Sequence, residues 1–232
     1  MTRGRPIPPR YDHHPVELFE GAVRANLRPG LDILDVGSGR RPALDPGARP
    51  PGGRYAGLDI CAAELGRAPR GSYSDHVVAD VTEPVPALRG QFDLIVSWQV
   101  LEHVRDTDRA LRNLHDYLRP GGRLVAILSG RFSIFGMLNS VVPARAGVWL
   151  MERLLRRPPD SVFPAHYDRC HASALARALR DWSSAEVRPI YQGGSYFNFC
   201  LPLRSAYFGY ENWAERSGRV NLATHYLIVS ER

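Results

Sequence analysis

The chain has 232 residues, 44% hydrophobic and 23% charged, which suits one α/β domain with decorations and an ordinary globular composition. Its net charge of +6 comes from 30 basic and 24 acidic residues, and every basic residue is arginine, which excludes chemistry that needs a lysine, such as a Schiff base or a P-loop. The arginines are scattered without a basic run, so no nucleic-acid partner is expected, and Cys61, Cys170 and Cys200 form neither a CxxC nor a disulfide framework.

The N-terminal stretch MTRGRPIPPRYDHH lacks the apolar core of a signal peptide, and no run approaches the length of a membrane span. With reduced cysteines this predicts a cytoplasmic setting. Residues 1–14, rich in proline and arginine, read as a mobile arm. A helix follows over 15–28, with Pro15 first and Leu18, Phe19, Val23 and Leu27 at helical spacing, until Pro29-Gly30 stops it.

Five strands come next: LDILDV, RYAGLDI, HVVAD, FDLIVSW and RLVAIL. Between the fourth and fifth lies a helix, DTDRALRNLHDYLRPGG, capped by Asp106 or Thr107, with Leu111, Leu114 and Leu118 facing inward and Pro-Gly-Gly at its end. Residues 129–170 break the pattern. They are aromatic and irregular apart from a helical GVWLMERLLRR, and read as a cap inserted between strands five and six. HASALARALRDW restores a helix, SAEVRPI a strand, and NLATHYLIVSER the last strand. Short apolar strands separated by crossovers argue for a mostly parallel sheet with helices on both faces, all in a single domain, 1–232.

Ligands of such sheets bind beyond the carboxyl ends of the strands. Gly37 and Gly39 stand at the end of strand one, where a sharp turn brings the backbone close to a ligand. A dinucleotide fingerprint needs a third glycine at 42, where this chain has Pro42, and a first helix to seat the pyrophosphate. Pro42, Pro46, Pro50 and Pro51 leave little of that helix. Asp59, about twenty residues on at the end of strand two, can accept hydrogen bonds from both hydroxyls of a ribose. Asp80, at the end of strand three, can take an adenine amino group, with Val81 covering the ring. The combination asks for an adenosine without phosphates.

The segments ILDVGSG, GLDI, ADV, FDLIVSWQVLEHV and LRPGGRLVAIL, in that order and spacing, resemble the class I S-adenosylmethionine (SAM)-dependent methyltransferases, in particular the group with VLEHV after strand four. The resemblance covers roughly residues 30–128. It departs at Arg41, where the family turn carries a further glycine. It implies a Rossmann-like, doubly wound sheet of seven strands, the last antiparallel. It also implies that Asp35, Gly37 and Gly39 line the methionine moiety, that Asp59 holds the ribose, that Ile60 beside it is cofactor-binding, and that Asp80 and Val81 hold the adenine. Ser97 and Trp98 would give backbone to the methionyl end, with His103 near the substrate mouth.

A general base is needed only if the acceptor is a hydroxyl or a protonated amine. His166 and His171, in the polar-aromatic FPAHYDRCH, join His103 as candidates, His166 first because Tyr167 and Asp168 stand beside it to orient it. No Cys/His pair has metal-site spacing. A small-molecule or saccharide acceptor methylated on oxygen is expected. The apolar, arginine-edged cap leaves peripheral membrane contact and homodimerisation open. The competing readings are a SAM-fold binding protein without catalysis and a nicotinamide-dependent oxidoreductase.

Overall fold

The computed structural model describes residues 7–133, 136, 137 and 165–232. Its centre is a seven-stranded sheet in the order β3-β2-β1-β4-β5-β7-β6. The strands are β1 (Ile33–Val36), β2 (Tyr55–Asp59), β3 (Asp75–Val78), β4 (Phe92–Trp98), β5 (Leu118–Ser129), β6 (Ser184–Ile190) and β7 (His225–Glu231). Strands β1 to β5 pair in parallel, while β7 runs antiparallel to both its neighbours, β5 and β6. The central strands are buried on both faces, which is why they read as unbroken apolar runs.

Alternation along those strands divides the core into two layers. Leu34 and Val36 pack with Leu111, Leu114 and Tyr117 of α3 (Thr107–Tyr117) and Leu175 of α4 (Ala172–Ala178). Ile33, Val96, Val125 and Ile127 pack on the other face with Phe19 and Val23 of α1 (Pro15–Arg24). Helix α1 begins as its sequence suggests: Pro15 needs no hydrogen-bond partner for its nitrogen, and the His14 ring accepts from the Val16 N–H. Asp106 caps α3 by accepting from the Arg109 N–H at 2.9 Å.

Four expectations are corrected. The first helix ends at Arg24, short of Pro29. Helix α3 ends at Tyr117, and Pro-Gly-Gly falls inside β5, where the register against β4 shifts between Phe92 and Leu94. A sixteen-residue helix, α5 (Leu201–Arg216), occupies a stretch read as no element; Pro202 and Gly209 hid it. The arm is docked through Arg10 and Tyr11. The Arg10 guanidinium donates to the Tyr191 carbonyl at 2.7 Å and to Glu211 of α5 at 3.2 Å. Most of the expected cap, including its helical GVWLMERLLRR and the surface considered for membrane or dimer contact, lies outside the described residues.

Glu211 is the node that holds the arm. It is 1% exposed and also accepts from the Tyr11 hydroxyl, the Gly193 N–H at 2.6 Å and the Thr224 hydroxyl. Glu211→Gln keeps the shape but removes the charge that Arg10 and these donors converge on. It should cost about 2 kcal/mol, since a hydrogen bond to a charged group is worth about that much. The melting temperature should fall by roughly 4–8 °C. A midpoint within a degree of the parent's would show that other contacts hold the arm.

Candidate functional site

The crossover after β1 contains no α-helix, only a 3-10 turn at Pro46–Ala48. Side chains fold it instead. Asp35, fully buried, accepts from the Tyr55 hydroxyl at 2.6 Å and the Ala43 N–H at 2.7 Å. Tyr55 in turn accepts from the Leu44 N–H and stacks on Tyr73, while the Arg49 guanidinium lies 3.7 Å over its ring. Burial pushes the Asp35 carboxyl up to about 7, against the pull of the Tyr55 and Ala43 donors.

This crossover leaves open a cavity of about 540 Å³ at the carboxyl ends of β1 to β4. Gly37, Asp59, Ile60, Asp80, Val81, His103 and His166 all line it. Gly37 adopts φ +70, and a Cβ there would overlap the Val100 side chain. Asp59 is 8% exposed and accepts from the Cys61 N–H at 2.8 Å; the Gly39 N–H also donates to it. Burial raises the Asp59 pKa, and these N–H donors oppose the rise. Asp80 accepts from the Thr82 N–H and hydroxyl, both at 2.8 Å.

Five of the expected site residues lie off the cavity wall. Asp35 and Gly39 stand behind it, Asp35 as the anchor of the crossover and Gly39, at φ +48, against Asp59 and Glu64. Ser97 is buried and points its hydroxyl at the Val36 carbonyl. Trp98 packs edge-on against Phe19, 5.2 Å between centroids, on the α1 face. The wall after β4 is formed instead by Gln99 and Val100, and Gln99 takes a left-handed φ of +54. Strained backbone of this kind collects at functional turns. His171 packs against Phe132 at 5.1 Å.

His166 reaches the cavity because its segment is pinned to the turn after β4. The His166 and Tyr167 N–H groups donate to the Glu102 carbonyl at 2.8 and 2.9 Å, and the Thr107 hydroxyl donates to the Asp168 carbonyl. Asp168 does not orient His166, as its proximity in sequence suggested; its carboxylate accepts from the Thr107 N–H at 3.0 Å. Burial, then Arg105, then His103, lowers the His166 pKa below the ordinary imidazole range.

The cavity suits SAM. Its volume falls within the usual range for small-molecule sites, roughly 300–1,000 Å³. Ile60 is 61% exposed beside it, an apolar surface that an adenine ring would cover opposite Val81. Asp59 adds a carboxylate to the lining of the cavity. Among the described residues no group of three His, Cys, Asp or Glu side chains is arranged to hold a metal ion. No described helix is long and apolar enough to cross a membrane.

A family model described as a methyltransferase domain matches residues 11–187. Nocamycin O-methyltransferase of Saccharothrix syringae is 28% identical over 211 residues, covering 78% of this chain and 71% of that protein. The ubiquinone biosynthesis O-methyltransferase of Escherichia coli O127:H6 is 31% identical over 119 residues, and the match spans 49% of each chain. Among solved structures, Haemonchus contortus phosphoethanolamine N-methyltransferase 2 in complex with SAM superposes with a TM-score of 0.57 at 12% identity. That superposition covers 93% of this chain and 52% of the other, a likeness of fold.

Proposed function

This chain belongs to the methyltransferase-domain family and is a class I SAM-dependent methyltransferase, and we propose that it methylates a hydroxyl oxygen of a small-molecule or saccharide acceptor. The observation that carries this reading is that Asp59, Ile60, Val81, His103 and His166 line one cavity, a set that can take a ribose, an adenine and an acceptor's proton. Oxygen is favoured because both relatives named above are O-methyltransferases and because imidazoles at the mouth suit an acceptor that must lose a proton.

When bound, SAM supplies a methyl group on a sulfonium, already a good leaving group. The chain's own part is then to bind, align and take one proton. Gly37 lets the backbone turn under the cofactor, and Asp59 orients it through the ribose. Asp80 and Val81 fix the adenine end. Alignment of acceptor and methyl supplies most of the acceleration. His166 accepts the acceptor's hydroxyl proton on an imidazole nitrogen, with His103 as the second candidate.

The helix-free crossover speaks against a nicotinamide dinucleotide, which would seat its pyrophosphate on a first-helix N-terminus. Calorimetry should therefore detect SAM and no competing NAD. Methyl transfer is tested by incubating the chain with radiolabelled SAM and panels of phenols and glycans. Competition by micromolar NAD, or SAM binding without transfer to any hydroxyl in the panels, would overturn the reading.

Asp59→Ala should weaken SAM by about 1.5–3 kcal/mol, the worth of charge-assisted hydrogen bonds to the ribose. Unchanged affinity in calorimetry would remove Asp59 from the ribose role.

A further inference from the structure

We propose that the mouth of this cavity is an oxyanion seat built on Arg105, and that the methyl acceptor carries a carboxylate or phosphate group there. The proposal rests on the assignment of the cavity as the SAM and acceptor site. It starts from a difference among the residues that line the cavity. Two of its acids have hydrogen-bond donors, Asp59 the Cys61 N–H and Asp80 Thr82. Arg105, Asp106, Arg109, His103 and His166 line it as well.

The other lining and neighbouring charges are also committed. Asp106 accepts from the Arg109 N–H, and the Arg109 side chain reaches Glu83 at 3.4 Å. Arg169 pairs with Asp108 at 2.8 Å, and Asp168 is turned to Thr107. Arg105 alone of these arginines has no hydrogen-bonding or ion-pair partner among the described residues. Its charge is felt at His166, as is that of His103. Glu102 acts on His103 from behind the turn, so Arg105 is the cation of this wall that an incoming anion would meet.

An unpaired arginine on a convex surface is simply solvated. Arg105 is exposed, yet it lines a concave site whose walls include Val36, Leu58, Val81, Val100 and Val104, and such walls focus its field into the cavity. Its backbone is fixed between the 3-10 turn Leu101–His103 and the Asp106 cap of α3. A guanidinium offers a planar fork to two oxygens of one carboxylate or phosphate. An anion bound there would also lie beside His166 and His103, tying the acceptor's charged end to the groups proposed to handle its hydroxyl.

The test uses the full chain saturated with S-adenosylhomocysteine. Inorganic phosphate is titrated in one arm and acetate in the other, and the imidazole resonances of His103 and His166 are followed by NMR. Either anion should shift both imidazoles and raise the titration midpoint of His166, because it offsets the Arg105 charge. Arg105→Gln should weaken that anion at least about tenfold, the loss expected for one charge-assisted contact. Arg105→Lys should weaken it less, and both variants should bind SAM like the parent. Tighter phosphate points to a phosphorylated acceptor, and tighter acetate to a carboxylate. If neither anion moves the imidazoles, or if Arg105→Gln binds it like the parent, the proposal is wrong. Failure of the cofactor assignment would show separately, as absence of SAM binding by the unmutated chain.

Discussion

Gly37→Ala should cost the fold about 3–4 kcal/mol and, because relief of the clash displaces Val100 in the cavity wall, should also weaken SAM binding. Two costs add. A residue with a Cβ held at φ +70 pays about 1–2 kcal/mol for the left-handed backbone. The new methyl also overlaps the Val100 side chain, and forcing extra atoms into packed surroundings costs about 1–3 kcal/mol. Val100 lines the same cavity, so relief by its displacement deforms the cofactor's wall. Gly30→Ala is the control. Gly30 has φ +79 but open space around its missing Cβ and no place in the cavity, so it should lose stability and keep SAM affinity. Adding Val100→Ala to Gly37→Ala should recover part of the binding. Parent-like affinity of folded Gly37→Ala in calorimetry would show that the turn does not shape the site.

The features of this site that were legible in the sequence are those set by the main chain's period and by strand ends. Continuous apolar runs mark the central strands, and the residues at or just past the ends of β1, β2 and β3, namely Gly37, Asp59, Ile60, Asp80 and Val81, line the cavity. The prolines after Gly39 were legible too, because they forbid the helix that the fold lacks there. What sequence order hides is which face a side chain takes at a strand's last residues. Trp98 falls on the α1 face, and the cavity wall begins one residue later, at Gln99, where the backbone turns left-handed. Neighbours in sequence likewise diverge in space: Asp168 serves Thr107 and His171 packs on Phe132, while His166 alone of that segment's histidines faces the cavity.

The docked arm was illegible for a different reason. Arg10 and Glu211 are 201 residues apart, and each alone reads as a solvated surface charge. Helix α5 was missed because propensity is a weak prior, and burial of Tyr207, Phe208 and Ala214 outweighs the cost of Gly209.

His166→Ala should lower turnover by about 10²–10⁴ with SAM affinity nearly intact, the range expected when a general base is removed. The imidazole is placed by backbone hydrogen bonds to the Glu102 carbonyl, which the substitution leaves in position, so the loss reads the ring alone. His103→Ala tests the alternative base on the same wall, and His171→Ala, off the cavity, should turn over like the parent. The pH profile distinguishes a base from a packing residue. Burial, then Arg105, then His103, lowers the His166 pKa, which favours the neutral ring that can accept a proton. Activity should therefore hold at neutral pH and fall as pH drops, with the acid limb below the ordinary histidine value of about 6.5. In Arg105→Gln that limb should move upward, because a charge that disfavours the imidazolium is gone. The measurement is kcat against pH for the parent, His166→Ala, His103→Ala and Arg105→Gln with one acceptor. Near-parental turnover in both single histidine variants would mean that the enzyme works by alignment alone, on an acceptor that needs no base.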